Sequence, residues 1–468
     1  MYRSQIEAYF QENQDLILSH IQRLVRIPSV AKPELAAPGA PFGPECRRAV
    51  EEAAAIAREL GFEPRILEGY VLEVDMNSAE SEVGILAHLD VVPEGDGWDT
   101  PPYDPQIRDG YLYGRGADDN KGPAVLALHA MKAAISINPN LKKGCRTILG
   151  SAEEIGSHDM EYYLEHHTCP PKTFSPDADY PVINLEKGAY RPAFGANWMP
   201  EEGAVVLEIR GGEVANVVPK QATATVRGVE EAALAAACEA AAARTGVAFR
   251  WETEEDTAHI TARGMDAHAS LPWEGNNALT ALLQMLGMLP LSDTVSKGYL
   301  EALIRLFPHG DWQGKALGVA MEDDLSGPLT LNFSICNWNP EGFSARYDSR
   351  VPVCGNRENM KEVSDAALSR AGIRVEEEEM TPPHYTPEES PFVQTLLKVY
   401  GEHTGQEAHC IAIGGGTYAH DIPGAVAFGC CFPGDPPTNL HSANERTSIR
   451  RLMQSGAMFT DVILRECE

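Results

Sequence analysis

An alternation of strand-like and helix-like segments that is broken once and then resumed constrains this chain more than any other feature. Apolar runs of strand length at 64–67, 71–74, 83–87, 147–151 and 182–186 are separated by helical periods at 45–60 and 121–134. That rhythm predicts a sheet with many parallel strands covered by helices. From Gly188 the pattern changes. Alternating strands at 204–210 and 222–227, an alanine-rich helix at 230–244 and strands at 247–251 and 258–262 are followed by helical stretches at 276–288 and 295–307. Strands at 329–336 and 343–349, a helix at 358–370 and a strand at 373–379 then repeat a similar order. This reads as a β-β-α-β unit written twice, two small ferredoxin-like α+β lobes inserted into the first domain. After Thr381-Pro382-Pro383 the first rhythm resumes with a helix at 391–404, strands at 410–413 and 425–429 and a last helix at 448–466. The expected architecture is an α/β domain with a mainly parallel central sheet, residues 1–187 and 384–468, interrupted by an α+β insertion, residues 188–383.

Composition removes several classes of function. A chain of 468 residues with formal net charge −30 lacks the basic surface that nucleic acid or an anionic membrane would require. No apolar run approaches the ~18 residues of a membrane span. Residues 1–25 carry apolar positions at helical spacing and no uninterrupted apolar core, unlike a secretory signal, so the expected compartment is the cytoplasm. The ten cysteines show no repeated spacing and Cys430 and Cys431 are adjacent, which reads as reduced thiols.

The chemistry concentrates where strands end. His88 and Asp90 follow an apolar strand and, at i and i+2, point to one side of it. Asp119 lies in Gly-Arg-Gly-Ala-Asp-Asp-Asn-Lys-Gly, 114–122, directly before a helical pattern; a capping aspartate is the plainer reading of it alone. Glu153 and Glu154 follow the 147–151 strand as adjacent acids, so that one carboxylate can bind metal while the other handles protons. Asp177 and His441 are weak signals singly, a turn acid and a surface imidazole. Together the order His, Asp, Asp, Glu-Glu, Asp, His offers a divalent cation a full set of hard and borderline ligands. Gly414–Gly416 lacks the Lys-Ser/Thr of a phosphate loop and reads as a place where backbone approaches substrate closely, at Gly415 and Gly416.

Segments 84–90, 114–122, 150–156 and 438–445 together resemble the motifs of the dinuclear zinc exopeptidases related to aminoacylase, carnosinase and glutamate carboxypeptidase, most of all the bacterial PepV-type dipeptidases. The resemblance covers essentially the whole chain, insertion included. It implies two Zn2+ per chain, with Mn2+ or Co2+ as substitutes. His88 and Asp177 would ligate one ion, Glu154 and His441 the other, and Asp119 would bridge them through a residue whose peptide to Asn120 is cis. Asp90 would orient His88, and Glu153 would be the general base acting on a metal-activated bridging water. In the insertion, which becomes a lid, Gly-Met-Asp-Ala-His-Ala-Ser at 264–270 resembles the segment whose histidine, here His268, stabilises the oxyanion. Asn216 and Arg350 match substrate-holding positions, with Arg350 on the C-terminal carboxylate.

The resemblance implies a metallo-dipeptidase acting on short unblocked peptides. An N-acyl amino acid deacylase of the same family is the alternative, since amide hydrolysis needs the same metals and base. A metal-binding or interaction protein without activity is disfavoured because Glu153 and every expected ligand are present. The length of the insertion, with a second lobe where a partner's lobe would lie in dimeric relatives, implies an active monomer.

Overall fold

The structure is a computed structural model and describes residues 2–468. Among these the strands form two large sheets of nine strands each, one in each of two compact units. The first unit runs to Glu186 and resumes over His384–Glu468; the second is Lys187–Pro383.

In the first unit the sheet runs in the order Pro64–Leu67, Val71–Asp75, Gly144–Gly150, Ser81–His88, Lys172–Ser175, Val426–Ala427, Val182–Glu186, His384–Tyr385, with Cys410–Ile413 also paired to Val182–Glu186. The expectation of a mainly parallel sheet holds for its centre. Ser81–His88 is parallel to both Gly144–Gly150 and Lys172–Ser175, which is parallel to Val426–Ala427. Toward the edges the sheet turns mixed. Pro64–Leu67 and Val71–Asp75 are joined by so short a turn that they pair antiparallel, and Val71–Asp75 meets Gly144–Gly150 the same way.

The helix Lys121–Ile137 is apolar on nearly every side, with Ala124, Val125, Leu128 and Met131 among its fully buried residues. A helix of that kind has to be covered all round. It packs against Ser81–His88, the helices Arg3–Glu12 and Gln14–Val25, and the last helix, Ile449–Cys467. The core therefore holds both chain ends of this unit together, and parallel central strands bring the carboxyl ends of Ser81–His88, Gly144–Gly150 and Lys172–Ser175 to one edge. In open α/β sheets this is the edge where ligands bind.

In the second unit the two expected α+β lobes are joined. Its strands form one antiparallel sheet in the order Ala248–Glu254, Thr257–Arg263, Gln221–Arg227, Val205–Gly211, Thr330–Asn339, Gly342–Val351, Ala193–Asn197, Arg374–Val375, with Gly188–Tyr190 also on Gly342–Val351. The two expected lobes are the halves of this sheet. They are stitched by Ile209 opposite Trp338, Arg210 opposite Asn337 and Gly211 opposite Cys336. Each half alone would leave a long strand with an unpaired edge, and joining them removes both. One core accordingly runs from Leu234 and Leu279 in the first half to Leu368 in the second. The strand expected at 373–379 shrinks to Arg374–Val375 because four consecutive glutamates follow it.

Candidate metal centre

Three parallel strands deliver the first candidate ligands. His88 is the last residue of Ser81–His88; Glu153 and Glu154 open a short 3-10 turn just past Gly144–Gly150; Asp177 follows Lys172–Ser175. Asp119 stands just before the helix Lys121–Ile137, and its peptide to Asn120 is cis. His441 arrives from the irregular stretch ahead of the last helix, with φ +57.

Their atoms converge. His88 Nε2 is 2.9 Å from Asp119 Oδ1 and 3.3 Å from Asp177 Oδ2. His441 Nε2 is 2.9 Å from Asp119 Oδ2 and 3.2 Å from Glu154 Oε2. Asp119 thus turns one oxygen to each imidazole. Possible ligand atoms, one each from His88, Glu153 and Asp177, lie within 4.8 Å of one another, and so do one each from His88, Asp119 and Glu154. Either group is able to hold a metal ion.

Neighbouring groups fix these candidate ligands. His88 Nδ1 faces the carbonyl of Asp90 at 3.0 Å, which leaves Nε2 directed at the acids. The Asp90 carboxylate is 3.4 Å from the same nitrogen, but its closer partners are the backbone N–H groups of Glu153 at 3.1 Å and Glu154 at 3.0 Å. Asp90 therefore orients the acidic turn as well as the imidazole. Asn120 Nδ2 donates to Asp177 Oδ1 at 2.8 Å.

The electrostatics call for cations. Burial pushes the Glu153 carboxyl well above the usual range, opposed by His88 and reinforced by the charges of Asp177 and Glu154. Burial also raises Glu154 and Asp177. At Asp119 burial acts in the same direction, but hydrogen bonds from His441 and His88 hold the carboxyl well below its ordinary value. Hydrogen bonds to Asp119 and Glu154 lift His441 to about 10. His88 is raised despite full burial, through Asp177 and Asp119. So many acids in one buried place favour protonated imidazoles, and divalent cations would replace those protons. Glu154 Oε1 is buried with no hydrogen-bond partner among the described residues, as befits a ligand atom. The residues present fit a metal centre.

The glycine loop belongs to the same unit. Buried Glu186 pins it by accepting from Thr417 N at 3.0 Å and Thr417 Oγ1 at 2.8 Å, and it lies 3.0 Å from His420 Nδ1. Gly415 and Gly416 precede this anchor, and Tyr418 just beyond it sets its ring edge-on to His88, 6.2 Å between centroids.

Three other sequence candidates stand in the inserted unit. His268 is exposed, with Nδ1 2.6 Å from Ser270 Oγ. Asn216 is its neighbour, since the Asn216 carbonyl accepts from Ala269 N at 2.8 Å and Val217 pairs with His268. Arg350 is buried in the Gly342–Val351 strand and donates from Nε to Asp348 Oδ1 at 2.7 Å.

Sequence reasoning missed Glu186 and Glu445, both buried carboxylates that organise loops of this unit. The only signal for Glu186 was an acid closing an apolar strand; Glu445 sat unassigned inside the segment that carries His441.

Residues 84–465 match Peptidase family M20/M25/M40. The putative dipeptidase YtjP of Bacillus subtilis (strain 168) is 32% identical over 457 residues, covering 97% of each chain. The Beta-Ala-Xaa dipeptidase of Lactobacillus delbrueckii subsp. lactis is 33% identical over 457 residues, 97% of this chain and 96% of that one. In fold the chain is similar to human carnosine dipeptidase 1, with a TM-score of 0.59 and 15% identity over 100% of this chain and 99% of that one. The match takes in His88, the whole insertion and the loop that carries His441, and the chain belongs to peptidase family M20/M25/M40.

Proposed function

We propose that this hydrolase is a two-metal dipeptidase, in which His88 and Asp177 hold one cation, Glu154 and His441 the other, and Asp119 both. The observation that carries the reading is the division of the Asp119 carboxylate, Oδ1 to His88 and Oδ2 to His441, each at 2.9 Å. A monodentate cap would not need a second imidazole on its other oxygen. Zinc suits two imidazoles and three carboxylates, with Mn2+ or Co2+ as substitutes. When bound, the pair of ions supplies Lewis-acid polarisation of the scissile carbonyl and acidifies water at neutral pH.

The chain's own residues do the rest. Glu153, raised by burial and fixed through its backbone to Asp90, takes a proton from the attacking water and returns it to the departing amine. His268 donates to the developing oxyanion, Asn216 holds the substrate backbone, and Arg350 pairs with its free carboxylate. Gly415 and Gly416 let the peptide lie against bare backbone. The dipeptidase names of the two relatives support the substrate class. No helix among the described residues is long and apolar enough to cross a membrane. The reading is completed by an active cytoplasmic monomer, which would have a mass near 50.9 kDa in solution.

Purified, zinc-loaded enzyme assayed on free dipeptides beside N-acetyl and N-succinyl amino acids tests this. Turnover of the dipeptides at least tenfold above the acyl substrates is expected. A preference for the acyl amino acids would replace the reading with a deacylase, and no turnover of either would leave a metal-binding protein without this chemistry.

A further inference from the structure

A carboxylate with no access to solvent has to find its hydrogen-bond partners inside the protein. Glu445 is 0% exposed, and it finds them almost entirely in one loop. Its Oε1 accepts from the backbone N–H of Asp118 at 3.0 Å and of Asp119 at 3.2 Å, and Gly116 N is 3.0 Å from each oxygen. Its Oε2 accepts from Arg115 Nη1 at 2.7 Å, and its own carbonyl accepts from Gly114 N at 3.0 Å. Arg115, equally buried, reaches on to the carbonyl of Glu94 at 3.2 Å. One side chain thus grips the segment that presents Asp119, while its backbone closes the loop that presents His441.

We infer that Glu445 is a positioning residue of the metal centre, setting the separation of Asp119 and His441 and so the cation site formed by Asp119, Glu154 and His441. The inference rests on the two-cation reading above. The other site has its own supports: His88 ends a central strand with the Asp90 carbonyl behind it, and Asp177 is tied to Asn120. His441 has no strand end behind it: its side chain is 50% exposed, and besides Glu445 its loop is held by Asn444 Oδ1 accepting from Asp99 N at 2.9 Å, by Ser442 N donating to Asn439 at 3.0 Å and Arg446 N to Thr438 at 2.8 Å, and by the pairing of Arg446–Ser448 with Tyr111–Tyr113. Loss of the Glu445 clamp therefore falls on the second site first.

The test is Glu445→Gln in the full chain, stripped of metal and titrated with Zn2+ alone by calorimetry, with ion content checked by elemental analysis. Glutamine keeps the size but replaces an accepting oxygen with a donor and removes the charge that Arg115 meets. Wild type is expected to take up two ions; the variant keeps one tight site and binds the second about ten- to a hundredfold more weakly. Glu73→Gln is the control, because Glu73 is another buried carboxylate, bound by Arg65 and Tyr163, whose loss should lower stability and spare both ions. Should Glu445→Gln fold poorly, Glu445→Asp retains the charge with a shorter reach and is expected to weaken the second site alone, by less. Two unchanged sites in whichever variant folds, equal weakening of both, or the same loss in the Glu73 variant would overturn the inference alone. A wild-type chain that takes up fewer than two ions would overturn the two-cation reading and the inference with it.

Discussion

Asp119 Oδ2 lies 2.9 Å from His441 Nε2, bringing a residue at the start of a buried helix onto one from a loop near the end of the chain. Its other oxygen is already engaged by His88. Asp119→Asn leaves one oxygen and puts an NH2 group where the second ligand atom was. The expected outcome is a fall from two zinc ions to at most one per chain and a loss of kcat/KM of about a thousandfold or more, in line with losing metal assistance. Elemental analysis beside steady-state kinetics reads both; two ions with near-normal turnover would falsify the bridging role.

Glu153 separates the two ways of using an acid in this centre. Geometrically it can join His88 and Asp177 around an ion, while its burial and its fixed backbone suit a proton acceptor. For a general base, Glu153→Gln keeps both ions, lowers kcat by about a hundred- to ten-thousandfold and moves KM little. Loss of an ion from the variant would reassign Glu153 as a ligand.

How much of this was legible in the sequence follows from where each residue sits. His88 and Glu154 each come at or just after an apolar run read as a strand, so periodicity located them at strand ends, whereas Asp177 follows Lys172–Ser175, a strand that periodicity did not single out, and it was found through the resemblance. His441 lies in a stretch without periodicity at φ +57, and only its resemblance to a known motif singled it out. The joining of the insertion into one sheet was hidden because Val205–Gly211 and Thr330–Asn339 pair across a long span of sequence, and nothing in either strand encodes its partner. Glu445 was hidden for a similar reason: its significance lies in backbone N–H groups, which every sequence possesses.

A second buried cluster gives a pH dependence independent of metal. His129 is fully buried, its Nε2 3.0 Å from His20 Nδ1 and its Nδ1 3.2 Å from the Tyr9 hydroxyl; His20 continues to Glu59 at 3.2 Å. Burial, aided by His20, lowers His129 to about 3. The folded state thus refuses a proton that the unfolded chain accepts at ordinary histidine pH. This contribution is fully present above about pH 6.5 and is lost as pH falls from there toward 3. At pH 5 the loss from this one residue is about 2 kcal/mol. Urea unfolding of metal-free protein at pH 7 and pH 5 should show it, and His129→Gln should narrow the difference between the two pH values. An unchanged difference in the variant would remove His129 from the acid response.

Arg350 is 6% exposed and donates from Nε and Nη2 to Asp348 at 2.7 and 3.1 Å. Asp348, fully buried, also accepts from Arg191 Nε at 2.7 Å. In the proposed reading a free dipeptide brings a carboxylate to the Arg350 guanidinium, and a C-terminal amide does not. Charge-assisted hydrogen bonds of this kind contribute about 1.5–3 kcal/mol, so Arg350→Ala should raise KM for free-acid dipeptides about ten- to a hundredfold and leave the matching amides within a few-fold. Arg191 still meets Asp348 in that variant, so the buried acid keeps a partner and the fold should hold. Arg350→Lys should recover only part of the loss, because a single ammonium cannot keep both contacts to Asp348 and also meet the substrate. The decisive measurement is the ratio of the two KM changes. Equal losses on acids and amides would take Arg350 out of carboxylate recognition and leave it as a strut of the Gly342–Val351 strand.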